Sequence, residues 1–295
     1  MTDLTWALAQ YRTSHGIATG IYVDDRLHAA PQLDGLNVME VLAEWGRWAE
    51  VLRTLDVTAL TPVIEGDLVA PITYPSKVIC AGANYYDHAD EMQVDRPDPA
   101  AEPFFFLKTP TTTVVGPSSD VPIFDDGRSQ VDWEAELGVV IGRRCTNLDP
   151  DDVADVIAGY LVANDVSDRG VFHRSGSVAA PFEWDWLGHK SQDGFCPLGP
   201  GLVPAWLVPD PQALKIRLDV NGVVKQDSNT SQMVVDVHRL VSAASRVFTL
   251  EPGDVILTGT PAGVGMPRKD FLRPDDVVTV EIEGIGRISN KVVAK

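Results

Sequence analysis

The stretch VDWEAELGVVIG, Val131 to Gly142, constrains this chain more than any other. Asp132, Glu134 and Glu136 fall at every second position and run directly into Leu137, Val139, Val140 and Ile141. In an extended segment alternate side chains share a face, so three carboxylates point the same way. The continuation is apolar on both parities, the pattern of a strand covered on both sides, and a buried carboxylate is costly unless it is paired or bound to a cation. Two readings are open at this point: a half-exposed strand with a wet acidic face, or acids gathered inside around a positive centre.

Composition narrows the partners. Lys and Arg number 24 against 42 Asp and Glu, a formal charge of −18. So negative a surface repels nucleic acid and anionic lipid, and no basic patch with interleaved aromatics appears. No run approaches the ~20 apolar residues of a membrane span, and MTDLTWALAQYRTSHG lacks a basic start followed by an apolar core. No nucleic acid and no membrane are therefore expected as partners, and the expected compartment is cytoplasmic. Cys80, Cys145 and Cys196 are odd in number, far apart and outside any CxxC pair, which suits reduced, buried thiols. A small anionic substrate would need a local positive centre, supplied by a metal ion or by a few placed Lys and Arg side chains.

The 295 residues suffice for one large domain plus a smaller module. Residues 37–55 place Val38, Val41, Leu42, Trp45, Trp48, Ala49, Leu52 and Leu55 on one helical stripe, and Asn37 with Glu40 spells a capping box. Before it, GIYVDDRLHAA predicts a hairpin around Asp24 and Asp25; after it, Pro62, Pro71 and Pro75 interrupt regular structure. A small N-terminal α/β module over 1–72 is expected, followed by a domain over 73–295. From Lys77 onward short β-type runs alternate with Gly and Pro: KVICAGANY, ELGVVIG, AGYLVAND, IRLDVNGVVKQ, DVILTGTP and VVTVEIEGIGRISNKVV. Asn221-Gly222 predicts a tight hairpin turn, and DVHRLVSAASRVF one further helix. Many strands, few helices and no βαβ alternation predict a β-rich α+β fold.

Four short stretches could carry chemistry. In GANYYDHADEM, His88 and Glu91 stand three apart, so one helical turn would let the carboxylate orient the imidazole; a surface pair has the same spacing. LVANDVSDR is an apolar run ending in Asn164 and Asp165, then Asp168 and Arg169, which fits a cleft or a helix cap equally. WLGHKSQDGFCPLGP carries His189, Lys190 and Asp193 on small, stiff residues; a lysine there could project into a pocket or into solvent. LTGTPAGVG brings backbone N–H groups within reach of a ligand but lacks the GK[ST] ending of a phosphate loop.

In their order along the chain, GANYYDHADEM, FFFLKTPTTTVVGP, VDWEAELGVVIG, GYLVANDVSDR, GHKSQDGFCPLGP, LKIRLDVNGVVKQ and LEPGDVILTGTPAGVG resemble the fumarylacetoacetate hydrolase superfamily, from about Lys77 to Val293. The resemblance implies a mixed β-roll of that family's type. It implies that Glu134, Glu136 and Asp165 bind one divalent cation, usually Mg²⁺, with Mn²⁺ or Ca²⁺ as substitutes, which would make acids beside an apolar strand tolerable. Asp132 shares their parity but is not one of the family's ligands, so it is expected behind them or facing solvent. His88 and Glu91 match the family's catalytic dyad and Lys190 its active-site lysine. Arg169, Lys108 and Thr260 are lesser candidates for holding substrate oxygens.

The implied activity is metal-dependent cleavage of a C–C bond by hydrolysis in a small anionic 2-oxo or β-diketo acid of the acylpyruvate or fumarylpyruvate type. The alternative is isomerisation, tautomerisation or decarboxylation, as in 2-hydroxyhepta-2,4-diene-1,7-dioate isomerases; a metal-binding protein of the same fold without turnover is a third reading. A homodimer is implied as well. One departure stands out. Many relatives place a glutamine a few residues after the arginine of the aspartate motif, whereas NDVSDRGVFHR leaves Phe172 or His173 there. Trp184 and Trp186 in FEWDWLGHK could wall a bulky pocket or belong to the core.

Overall fold

The computed structural model describes residues 5–64 and 66–295; residues 1–4, where the stretch read for a signal segment begins, lie outside it. The fold centres on the acid-bearing segment. Residues Ala135–Ile141 form a strand buried along its whole length. Leu137, Val139 and Ile141 join one apolar cluster and Val140 another on the opposite face, the two-sided covering that the unbroken apolar run predicts. This strand pairs antiparallel with Ile157–Asn164, in a register that sets Ala135 against Asn164 and Glu136 against Ala163. Its other neighbour is Val255–Leu257, which in turn pairs in parallel with Val78–Gly82.

These strands lie inside an 11-stranded mixed sheet. One edge is Phe104–Lys108, paired with Val78–Gly82; the other is the N-terminal meander of Ala7–Thr13, Gly16–Val23 and Arg26–Ala29, joined through Cys196–Pro204. The turn at Asp24 and Asp25 has both residues at positive φ (50° and 57°), as a two-residue hairpin needs. A second sheet runs Val223–Asn229, Lys215–Val220, Val277–Ile282, Gly286–Ala294 and Val121–Ile123. Its hairpin turns at Asn221 (φ 52°) and Gly222 (φ 78°), again as the dipeptide predicts.

The N-terminal residues share their core with the rest of the chain: Leu8, Val38, Val41 and Leu42 pack in one cluster with Val78, Cys80, Val140 and Leu161. The capping box of Asn37 and Glu40 is present, but the helix it starts is shorter than the apolar stripe predicts. Val38–Ala43 stops at Glu44, whose backbone is non-helical (φ −119°, ψ 36°), and Trp45–Arg53 begins anew. The break lets Trp45 stack on Trp206, with ring centroids 5.6 Å apart and planes within 23°, so a tertiary contact overrides the local periodicity. DVHRLVSAASRVF forms the expected helix, Val237–Val247, capped by Asp236. Among the described residues no helix is long and apolar enough to cross a membrane.

Candidate active site

Sheet pairing gathers the acids. The Ala135–Asn164 register leaves Glu134 and Asp165 facing each other just past the ladder, joined by the Asp165 N–H donating to the Glu134 carbonyl at 2.9 Å. The Asn164 side chain adds a bond from the Glu134 N–H at 3.0 Å. Glu134, Glu136 and Asp165 thus each offer an oxygen, all within 4.8 Å of one another and all buried. Oxygens bound to a single Mg²⁺ or Ca²⁺ stand about 3–5 Å apart, so the trio fits such an ion.

Charge bookkeeping supports that fit. Lys190 Nζ donates to Glu134 Oε2 at 2.7 Å and Asp165 Oδ2 at 2.8 Å. Lys108 Nζ donates to the other Asp165 oxygen and to the Val166 carbonyl. Arg169 donates to Glu134 Oε1 and, at 3.1 Å, to Asp132. Four carboxylates, counting Asp132, therefore meet three cations, and the unmatched charge falls on Glu136. Its bond is a 2.6 Å contact from the Gly259 N–H, and among the described residues no cationic side chain reaches it. Burial and then the nearby Asp165 and Glu134 carboxylates push the Glu136 carboxyl well above the usual range. Burial also opposes ionisation of Glu134, but Lys190 and Arg169 more than offset it and hold that carboxyl low. Lys190, though buried, is kept charged by Asp165 and Glu134. A divalent cation on the trio would neutralise the one acid that the protein leaves unpaired.

Asp132 lies behind the trio, reaching Glu134 through Arg169, and not at the surface. It is fully buried and accepts from the N–H groups of Trp133 (2.8 Å), Gly265 (2.6 Å) and Met266 (3.0 Å) as well as from Arg169. It ties Arg169 to the loop 259–266 and does not face solvent. That loop, LTGTPAGVG, directs its N–H groups at the protein's own acids: Gly259 at Glu136, Gly263 at Glu91 (2.9 Å) and Gly265 at Asp132. Glycine is needed for the path. Gly263 sits at φ 108°, where a Cβ would lie 2.1 Å from the Lys225 carbonyl.

The helix Tyr86–Glu91 carries the dyad. Asn84 fixes its entry through bonds to Val235 and to the Thr258 carbonyl, and Asp87 accepts from Ser228 Oγ at 2.6 Å. His88 Nδ1 is 3.5 Å from Glu91 Oε2, ion-pair distance without a hydrogen bond, and this buried nitrogen has no hydrogen-bond partner. Glu91 is itself held by the Gly263 N–H, with Arg268 3.7 Å away.

A cavity of about 190 Å³ joins these parts. Glu134, Glu136, Lys190, Arg169, His88 and Thr260 line it; Asp165 stands behind Lys190, Lys108 behind Asp165, and Glu91 beside His88. The Thr260 hydroxyl donates to the Ala135 carbonyl and accepts from Gln226, both at 2.9 Å, so its only proton is engaged. His189 also lines the cavity, as do Phe106, Phe172 and Trp186. Its Nδ1 bonds the Asp168 carbonyl at 3.0 Å and its ring lies 4.4 Å from that of Phe172. Burial, reinforced by Lys190 and Arg169, lowers its pKa to about 3, so this imidazole is neutral at ordinary pH. His189 lies in the short helix Trp186–Lys190, and no local signal in the sequence separates it from its neighbours. Trp186 is a wall residue and Trp184, half-exposed, packs on Phe172 at 5.0 Å; neither belongs to the core.

An acid trio that could hold a divalent cation thus lies beside a histidine–glutamate pair on a β-rich mixed-sheet scaffold. The match to the family model "Fumarylacetoacetate (FAA) hydrolase C-terminal" covers residues 77–293, and the chain belongs to this family of hydrolases, isomerases and tautomerases. It is 47% identical over 228 residues to a mitochondrial oxaloacetate tautomerase of Xenopus laevis, covering 77% of this chain and 68% of that one. Among solved structures, fumarylacetoacetate hydrolase from Exiguobacterium antarcticum superposes with a TM-score of 0.84 at 32% identity, over 98% of this chain and 100% of the other. Maleylpyruvate hydrolase from Sphingobium sp. SYK-6, in complex with manganese(II) and pyruvate, gives 0.78 at 27% identity, over 98% and 99%. The fold is of this family's type and the chain is an enzyme.

Proposed function

We propose that this protein is a divalent-metal-dependent keto–enol tautomerase of small 2-oxo acids. The observation that carries the reading is His88: it opens onto the cavity shared by the acids, its Nδ1 faces Glu91 alone, and the cavity's other imidazole, His189, is locked neutral. A single orientable imidazole suffices to move one proton between carbon and oxygen. The tautomerase name carried by relatives 43–47% identical to this chain supports the same chemistry.

A divalent cation, Mg²⁺ first and Mn²⁺ or Ca²⁺ as substitutes, would be held by Glu134, Glu136 and Asp165 and would supply the Lewis acidity that makes a C3–H bond beside a keto group acidic. His88 takes the proton from C3 and delivers it to the C2 oxygen, or the reverse. The C3–H bond breaks, an O–H bond forms, the double bond moves and no water is consumed. Glu91 acts through His88, fixing the ring. Lys190 and Arg169 keep two positive charges beside the oxygen on which negative charge develops.

C–C hydrolysis, the first reading from the sequence, is the second one here, favoured by the likeness to a maleylpyruvate hydrolase that holds pyruvate. Proton NMR in D₂O separates the two. With Mg²⁺ present, loss of the C3 protons of pyruvate, oxaloacetate or phenylpyruvate should outrun the metal-only rate. His88→Asn should reduce it by about 10²–10⁴-fold. No exchange above the metal-only control, or ¹⁸O from labelled water appearing in a new carboxylate, refutes tautomerisation as the main activity.

A further inference from the structure

The cavity has two unlike sides. On one side stand the acids with Lys190 and Arg169, and each of these cations already binds two carboxylates. Lys108, the third cation, is sealed behind Asp165. The other side is aromatic. Trp186 contacts Phe172 edge-on at 4.9 Å and Phe106 at 5.0 Å, and Phe172 covers the ring of His189. This wall does not end at the cavity. Phe104, 52% exposed, lies 5.2 Å from Trp186, and Trp184, 50% exposed, lies 5.0 Å from Phe172, so a continuous aromatic surface leads from the site to solvent.

A 2-oxo acid with its carboxylate and keto oxygen toward the acids and cations must send its remaining substituent along this aromatic side. The rings offer no cation there, and at most the indole N–H groups of Trp184 and Trp186, so a second carboxylate would leave water without meeting a counter-charge. His88 does not supply a free cation on this side, because the Glu91 carboxylate lies 3.5 Å from its Nδ1. An apolar or flat substituent would instead cover ring surface that is now partly wet, and contiguous exposed aromatic surface at a cavity mouth marks a binding groove.

We infer that this site selects a 2-oxo acid whose substituent beyond the keto carbon is uncharged and apolar, an aryl or branched alkyl group, over one ending in a second carboxylate. The reaction rests on the tautomerase reading, but the selectivity is a property of binding. Phe172 is its main determinant, since it touches the cavity, Trp186, Trp184 and His189 at once.

The test is calorimetric titration of the Mg²⁺-loaded protein with two oxamates that have no C3 proton to lose. N-phenyloxamate carries an aryl group and oxalylglycine a second carboxylate. N-phenyloxamate should bind at least about tenfold more tightly. Phe172→Gln should shrink that ratio toward one, whereas Phe172→Leu should largely keep it, with thermal melting confirming that both variants fold. Equal or tighter binding of oxalylglycine, failure of both compounds to bind, or an unchanged ratio in Phe172→Gln overturns the inference. Absence of C3 exchange with every 2-oxo acid would instead strike the tautomerase reading and leave the binding ratio to be judged by itself.

Discussion

At one end of the strand Ala135–Ile141, the buried carboxylate of Asp254 accepts from the Lys77 N–H at 2.8 Å, the Glu251 N–H at 2.7 Å and the Lys77 ammonium at 2.7 Å. At the other end, the equally buried carboxylate of Glu136 accepts from a lone backbone N–H. Both sit at junctions where strands meet, and both have raised pKa values with burial as the largest cause. The difference lies in saturation. Asp254 has its counter-charge and its donors in the protein, so it works as a staple between the segments around 77 and 251–255. Glu136 lacks a counter-charge, so its burial makes sense only with something added. A saturated buried acid belongs to the architecture, and an unsaturated one indicates a ligand.

The sharpest way to break this contrast is Glu136→Gln. It should weaken Mg²⁺ or Mn²⁺ binding by more than about 100-fold, beyond the 10–100-fold typical of losing a group that only supports a metal ligand. Turnover should fall with it. The metal-free variant should melt no earlier than the metal-free parent, because a neutral amide replaces an unpaired buried acid. Calorimetric metal titration and thermal melting read the two effects separately. An early-melting variant that still binds metal would make Glu136 a structural residue.

Asp254→Ala should behave in the opposite way. It strands two backbone N–H groups and a lysine that is one-fifth exposed, so a loss of about 3 kcal/mol in unfolding free energy is expected, at the lower end of the range for a broken buried pair. Metal affinity should stay within about twofold, since Glu136 and Ile141, the residue beside Asp254, are about 17 Å apart at 3.4 Å per residue. Urea unfolding and metal titration check both numbers. Unchanged stability would remove the distinction between the two acids.

The contrast also explains what the sequence could reveal. The acid alternation, the two-sided apolar run, the Asn37–Glu40 box and the Asn221-Gly222 turn are local patterns whose physics acts within a few residues, and the structure contains them. Bonding partners are another matter. The carboxylate that Lys108 meets is 57 residues away and the one that Lys190 meets is 56 away, so strand register decides both. Sequence leaves Asp132 open between a place behind the ligands and one facing solvent, because the loop donors that saturate it lie more than 130 residues on. The aromatic wall is half legible: FEWDWLGHK offers Trp184 and Trp186 as wall residues, but Phe106 comes from an edge strand that meets Trp186 only in three dimensions.

His189 offers the finest test, because it is a group saturated in one protonation state alone. Neutral, its ring gives Nδ1 to the Asp168 carbonyl and turns Nε2 toward Arg169, 3.4 Å away; protonated, it would face that guanidinium and Lys190 as a third buried positive charge. Its pKa is lowered from 6.5 to about 3, burial being the largest cause. The native state then binds fewer protons than the unfolded chain between those values, so the stability this residue contributes is complete above about pH 6.5 and is lost as pH falls toward 3. At pH 5 the deficit is about 2 kcal/mol, from 1.4 kcal/mol for each pH unit below 6.5. His189→Asn keeps a donor for the Asp168 carbonyl and removes the titration, so its urea midpoint should decline less than the parent's between pH 7.5 and 5. Parallel profiles for the two proteins would mean that the imidazole can charge in place, and the cavity would then hold two working histidines, in conflict with the assignment of proton transfer to His88 alone.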